Sequence, residues 1–250
     1  MYDKSYVEQF SSYTNLIALM QRYSDFQEST MDVQMAASEV LLENTIRTNC
    51  YVLKSGYVQI TDVSRYGDSY LMIGAPGKII SLPIYNAELP QLIEIKALTD
   101  VVVTQVDFDF LRKVLQLEDP HNYVTINYLS DLRKMLYHEV TQNTAVVRIR
   151  IIKFLIYLAD SLGMRAGDYM VWLPHFLTYE VLAEFAHCSK PHAVTILKEL
   201  RGKGIIDTHR GQWAFWIFEN CRDCLMSKLF SLNSHLDHRI ISHCLVIIKS

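Results

Sequence analysis

The 250-residue sequence predicts an α+β chain in four consecutive parts: an antiparallel β-roll, jelly-roll-like, over 1–118; one long helix over 119–145; a helical module closed by a hairpin over 146–218; and an appended C-terminal helical extension over 219–250. Two observations divide it. Between about residues 39 and 107, short apolar runs alternate with glycine-bearing turns, the mark of antiparallel strands. From Asp119-Pro120 onward, apolar residues recur at spacings of three and four, the mark of amphipathic helices. Charge supplies a third observation. Residues 1–145 carry 11 Lys and Arg against 18 Asp and Glu, whereas residues 146–250 carry 13 against 9. The second half has the balance to face a polyanion, and a net charge of −3 argues against a chain that coats nucleic acid indiscriminately.

Half of the residues are hydrophobic and a fifth are charged, which excludes disordered and low-complexity classes. The most sustained apolar stretch, 151–158, is broken by Lys153 and falls far short of the roughly 18 residues of a membrane-spanning helix, so no membrane span is expected. The opening Met1-Tyr2-Asp3-Lys4-Ser5 has no basic start before an apolar run, so no secretory signal and a cytoplasmic location are expected. Cys50, Cys188, Cys221, Cys224 and Cys244 are odd in number and scattered, and reduced thiols are expected.

Taken in order, Cys50-Tyr51-Val52-Leu53, the turn Lys54-Ser55-Gly56 and Tyr57-Val58-Gln59-Ile60 read as two strands of a meander. Tyr70-Leu71-Met72-Ile73 is entered from Gly67-Asp68 and left through Pro76-Gly77, and a last pair of strands is expected at 92–97 and 101–106. Asp119 suits an N-cap and Pro120 the first helical position. The helix that follows carries Val124, Tyr128, Leu132 and Met135, with Leu129, Leu136 and Val140 alongside. This apolar stripe serves either packing on its own domain or a parallel seam with a second copy; periodicity alone does not separate the two. Residues 146–162 read as a further helix ended by Gly163, followed by a loop holding Gly167 and Pro174. Beyond Gly204, two apolar runs flank Arg210-Gly211 as a tight hairpin.

The stretch from Leu177 to Leu200 is the most informative. Thr178 caps a first helix; Ala183 is small enough for a close helix crossing; Leu182, Ala186, Ala193, Ile196 and Leu197 supply the shared core; Ser189 caps a second helix with Pro191 in its first turn. This is the pattern of a helix-turn-helix, and the hairpin behind it supplies the wing of a winged helix. A plain αα-hairpin has the same core. What sets this one apart is the surface charge from Cys188 to Gly211: Lys190, Lys198, Arg201, Lys203 and Arg210 against Glu199 and Asp207, a balance suited to phosphate contact.

Over nearly its full length the sequence resembles the CRP/FNR family of bacterial transcription regulators. The resemblance is carried by Tyr51 to Ile60, by Leu71 to Gly77 with its Pro-Gly end, by Arg150-Ile151 with Leu155 to Ala159, and by the ungapped run from Leu177 through Cys188-Ser189 to Ile196-Leu197-Lys198 and Ile205-Ile206. It implies a cyclic-nucleotide-binding-like roll and a dimerisation helix that pairs two subunits. For the second half it implies a winged helix-turn-helix whose second helix enters the major groove. Val124, Tyr128, Leu129, Leu132, Met135 and Leu136 are then the expected dimerisation residues. Ser189, Lys190, Pro191, His192 and Thr195 stand where family members touch DNA. Lys190, His192 and Thr195 would discriminate bases, while Lys198, Arg201, Lys203 and Arg210 would position the duplex. The implied partners are double-stranded DNA with an approximately palindromic operator, a second copy of the chain, RNA polymerase and an unidentified small-molecule effector.

Several positions depart from the family. His187 replaces the usual turn glycine, so a non-glycine residue must accept that geometry. Lys190, Pro191 and Thr195 replace a frequent Arg, Glu and Arg, which implies a different operator. Leu82 stands for the ribose-binding Glu, and Gln91 and Leu92 for the phosphate-binding Arg-Ser pair, so cyclic AMP binding is not expected. Residues 1–49 contain no cysteine, which removes the iron–sulfur branch, and His121 and His138 read as solvated helix residues rather than haem ligands. The appended tail, with Leu225, Leu229, Leu232, Leu236, Ile240 and Ile241, resembles the branch containing a glutathione-responsive virulence activator and makes a thiol peptide a ligand to test.

Cys221 and Cys224 with His235, His238, His243 and Cys244 have zinc-ligand chemistry but lack a second pair at finger spacing, so they are read as helix-face or core residues. Trp213, Phe215 and Trp216 are read as core rather than as a base-stacking platform. No phosphate-cradling glycine loop, HExxH, GxSxG or paired catalytic carboxylate is present, so neither an enzyme nor a cofactor is expected. The rival reading is a ligand- or partner-binding module of the same fold that has lost DNA recognition, prompted by His187, Pro191 and Thr195.

Overall fold

The computed structural model describes residues 3–43, 48–63, 69–82, 92–143, 146–166, 170–209 and 211–216. The chain forms two compact units, Met1–Arg150 and Ile151–Ser250. The first opens with three short helices that the sequence reading did not assign, α1 (Lys4–Phe10), α2 (Tyr13–Met20) and α3 (Phe26–Ser29). Asp3 and Ser12 start α1 and α2 by accepting from the backbone N–H of Tyr6 and Asn15, and α2 buries Leu16, Leu19 and Met20.

Eight strands follow: β1 (Thr30–Met35), β2 (Val40–Glu43), β3 (Asn49–Ser55), β4 (Val58–Val63), β5 (Ser69–Gly74), β6 (Ile79–Ser81), β7 (Leu92–Ala97) and β8 (Val101–Asp107). They form two four-stranded antiparallel sheets, ordered β1-β8-β3-β6 and β2-β7-β4-β5. The expected meander is therefore corrected: β3 and β4 part into different sheets at Lys54-Ser55-Gly56, and so do β7 and β8. Gly56 has φ +83°, and a Cβ there would lie 2.3 Å from the Asp100 carbonyl oxygen, so the two strand-to-strand corners pack on one another. Alternation of residues reports that a segment is a strand but not which strand it pairs with. β3 is buried on both faces. Tyr51 and Leu53 fill the roll interior with Val58, Ile60, Ile95 and Val103, while Cys50 and Val52 join an outer core with α2.

That outer core is completed by α4 (Phe108–Glu118), whose Phe110, Leu111 and Val114 are buried. The long helix expected from Asp119-Pro120 starts later, as α5 (Tyr123–Asn143). Asp119 instead closes α4, and from there its buried carboxylate accepts from the N–H groups of Tyr123 at 2.8 Å and Val124 at 2.9 Å. Asn122 takes φ +57°, a conformation asparagine adopts more readily than most residues, and this turn separates two helices that read as one boundary in sequence. α5 falls wholly within the first unit.

After α6 (Val147–Leu162), the second unit contains β9 (Met164–Arg165), β10 (Met170–Trp172), α7 (Tyr179–Phe185), α8 (Lys190–Gly202), β11 (Ile206–His209) and β12 (Gln212–Trp216). The sheet order is β11-β12-β10-β9. The loop expected around Gly167 and Pro174 thus contributes two strands, too short for alternation to reveal; β10 pairs with β12 through Val171 and Phe215. Phe154 of α6 stacks on Phe185 of α7 with ring centroids 4.7 Å apart. His209 pairs with Gln212, so β11 and β12 form the expected hairpin, and Gly211 has φ +82°. Trp213 and Phe215 are buried and Trp216 is half-buried. The extension 219–250, with Cys221, Cys224 and its three histidines, lies outside the described residues, as does Arg210. Among the described residues, no helix is long and apolar enough to cross a membrane, and no three metal-ligating side chains cluster.

Candidate nucleic-acid interface

α7 begins at Thr178, whose hydroxyl accepts from the Val181 N–H at 3.2 Å. Its Leu182, Ala183 and Phe185 are buried, as are Ala193, Ile196, Leu197 and Leu200 of α8. The small Ala183 allows the close approach, and its carbonyl accepts from the Cys188 N–H at 2.9 Å. Between the helices His187 adopts φ +46°, as its substitution for glycine requires, at a cost of roughly 1–2 kcal/mol. Ser189 occupies the N-cap position in extended conformation, but its hydroxyl makes no capping bond; Pro191 lies in the first turn. Cys188 is half-buried.

The far end of α8 is equally defined. Gly204 takes φ +68°, its N–H donates to the Arg201 carbonyl at 2.9 Å, and the Ile205 N–H donates to the Leu200 carbonyl at 3.0 Å. This paired closure is a Schellman motif, with Ile205 and Leu200 both buried. It holds Lys203 at the end of the helix.

With its apolar stripe turned inward, α8 leaves Lys190, His192, Thr195, Lys198 and Arg201 exposed, as are Ser189, Pro191 and Lys203 beside it. The expected reading and positioning residues therefore share one outward surface, except Arg210, whose place is not described. Lys198, Arg201 and Lys203 have no ion-pair partner among the described residues. Lys190 has one that the sequence did not suggest: its ammonium bonds the Glu180 carboxylate of α7 and holds that carboxyl below the usual glutamate range. Ten residues separate the two, a spacing with no helical meaning, so only the helix crossing brings them together. The Thr195 hydroxyl donates to the Pro191 carbonyl at 3.0 Å, which leaves the exposed side chain an oxygen able to accept.

The expected dimerisation residues divide between two faces of α5. Val124 is wholly buried in its own unit beside Leu16, Leu111 and Val114, which removes it from any seam. Tyr128, Leu132 and Met135 face the roll, where they line a cavity of about 20 Å³ with Ile60, Met72 and Ile80. Beside it the Lys78 ammonium bonds Asp131 of α5 at 2.6 Å and Lys134 approaches the same carboxylate at 3.4 Å. Leu129 and Leu136, seven residues apart, are 44% and 46% exposed, and Tyr137 is 46% exposed. Two apolar faces thus replace the single stripe of the sequence reading. Leu82 is buried in the outer core, so the position matched to the family's ribose carboxylate is apolar and packed.

No protein-family model matches the sequence, and no curated protein matches it. Solved structures do match its fold. A cyclic nucleotide-binding domain containing protein from Listeria monocytogenes EGD-e superposes with TM-score 0.68 at 15% identity, covering 80% of this chain and 95% of that one. The c-di-GMP responsive global regulator CLP of Xanthomonas campestris gives 0.60 at 14%, covering 80% and 99%. A CRP/FNR-family transcriptional regulator from Thermus thermophilus gives 0.54 at 19%, covering 77% and 97%. The chain has the fold of CRP/FNR-type regulators, with an N-terminal β-roll and a C-terminal helical unit, and these neighbours include regulators of transcription.

Proposed function

We propose that this chain is a homodimeric, sequence-specific DNA-binding regulator of transcription whose roll responds to a small molecule. The observation that carries the reading is the outward surface of α8, where exposed basic and polar side chains stand on the second helix of a helix-turn-helix. An α-helix about 10–12 Å across fits a major groove about 12 Å wide. Lys190 then meets guanine O6 and N7. Thr195 offers an acceptor to the amino group of adenine or cytosine and a methyl to thymine, because its own proton is spent on Pro191. Lys198, Arg201, Lys203 and Arg210 contact phosphates and fix the register.

Leu129 and Leu136 supply the seam to a second copy, and the twofold axis demands two half-sites about 34 Å apart and hence an approximately palindromic operator. RNA polymerase is the further partner that a regulator of transcription requires. The cavity between roll and α5, lined by described residues, has room for about one water, so a larger ligand placed there would shift α5 against the roll and load the Lys78–Asp131 bond. Such coupling is how a ligand would reach the dimer helix. Cyclic AMP is not the expected ligand, since Leu82 offers no hydrogen-bond partner for the ribose.

The test is a fluorescence anisotropy titration of the duplex upstream of the chain's own gene, across salt concentrations and with added metabolites. Binding that weakens steeply with salt is expected. Absence of binding even at about 50 mM salt would return the fold to a ligand- or partner-binding role.

A further inference from the structure

The Lys190–Glu180 pair is placed oddly for a helix meant to meet DNA. Lys190 is the first residue of α8, while Glu180 lies in the first turn of α7, held by the Thr178 cap and the buried Leu182 and Ala183. Their side chains are 54% and 55% exposed, so the pair is not a packing requirement of the fold. It engages the cation that stands nearest the bases in the reading above, while Lys198, Arg201 and Lys203 further along have no such partner among the described residues. A carboxylate presents two anionic oxygens and competes directly with phosphate for an ammonium group.

We infer that Glu180 sets the affinity and salt dependence of this interface, as an internal counter-anion that duplex DNA must displace to gain Lys190. The inference rests on the DNA-binding reading above. In a loose complex Lys190 exchanges one exposed anion for another. No counterion is released on its account, and Glu180 is left facing the polyanion. In a seated complex the same lysine gains direct hydrogen bonds to guanine acceptors, which an exposed carboxylate does not match. The cost of freeing Lys190 belongs to the free chain, so Glu180 weakens both complexes alike and leaves Lys190 a net gain only where it meets bases.

The experiment measures binding against salt for the full chain and for Glu180→Gln, Lys190→Ala and the double variant. The probes are a random-sequence duplex of roughly 30 base pairs, long enough for two half-sites, and the tightest duplex selected from a random pool. Glu180→Gln is expected to steepen the salt slope on the random duplex by about 0.9 and to tighten binding there about five- to tenfold near 0.1 M salt. On the selected duplex, where Lys190 must also leave Glu180, a gain of similar size is expected, so discrimination is unchanged. In the Lys190→Ala background the gain from Glu180→Gln should fall to about twofold or less, what remains of direct repulsion between the carboxylate and the phosphates. Glu180→Ala must act in the same direction as Glu180→Gln, with thermal melting verifying the fold of each. An unchanged or weaker Glu180→Gln, a gain confined to one of the two duplexes, or a gain that persists in full without Lys190 overturns the inference while leaving DNA binding intact. If the unsubstituted chain and all variants ignore DNA at every salt concentration, the functional reading itself falls.

Discussion

α5 and α8 are both amphipathic, and each buries one face in its own unit: Val124 with Tyr128 in α5, and Ala193, Ile196, Leu197 and Leu200 in α8. They differ in what they turn outward. α5 exposes Leu129, Leu136 and Tyr137, whereas α8 exposes Lys190, His192, Lys198 and Arg201. An inward stripe establishes only that a helix packs. The partner is written in the outward face, because exposed leucines gain from meeting apolar surface and exposed cations gain from meeting phosphates.

The contrast can be broken most sharply at α5. Leu129→Asp with Leu136→Asp removes about 1 kcal/mol of remaining burial from each of the four leucines of the proposed seam, and sedimentation should show a dimer becoming a monomer, a weakening of roughly a thousandfold. An unchanged dimer would move the seam elsewhere. Truncating the inward face of the other helix, Ile196→Ala, should cost about 3 kcal/mol in denaturant unfolding of the second unit. Lys203→Ala on the outward side should leave stability alone, weaken binding to all duplexes several-fold and reduce the salt slope by about 1. His187→Gly should gain about 0.5 kcal/mol, since relief of the φ +46° geometry slightly exceeds the added freedom of the unfolded chain; urea titration measures it.

The smallest effect is expected far from both helices, in the roll. Asp32 accepts from Lys54 at 2.7 Å and from Thr104 at 2.7 Å, and Lys54 foremost holds its carboxyl below the usual aspartate range. A depressed folded-state pKa stabilises above the unfolded value near 3.9 and ceases to do so as pH falls through the folded one. Asp32→Asn should therefore lower the melting temperature at pH 7, with the difference closing as pH falls through the lowered aspartate pKa.

Much of the candidate interface was legible before the structure, and the reasons are local. Thr178 as a cap, Pro191 in a first turn, Gly204 beyond a helix end and Gly211 in the hairpin each follow from dihedral preferences and hydrogen bonds spanning at most a few residues. The N-terminal helices and the strands β9 and β10 escaped notice because segments of two to eight residues carry too little periodicity. Asp119 misled for the opposite reason: it is a true cap, reached across a turn formed by Asn122.

By itself, then, the sequence determined the longer strands and helices, where α8 begins and stops, and that the second half is the cationic one. Tertiary structure decided which strands became neighbours, which side of α5 the roll would cover, and that Glu180 would sit on Lys190. These depend on residues far apart in the chain: Lys78 and Asp131, which clamp roll to helix, are 53 positions apart. Backbone preferences act within a turn or two, whereas burial and ion pairing depend on whatever the finished fold sets alongside a side chain.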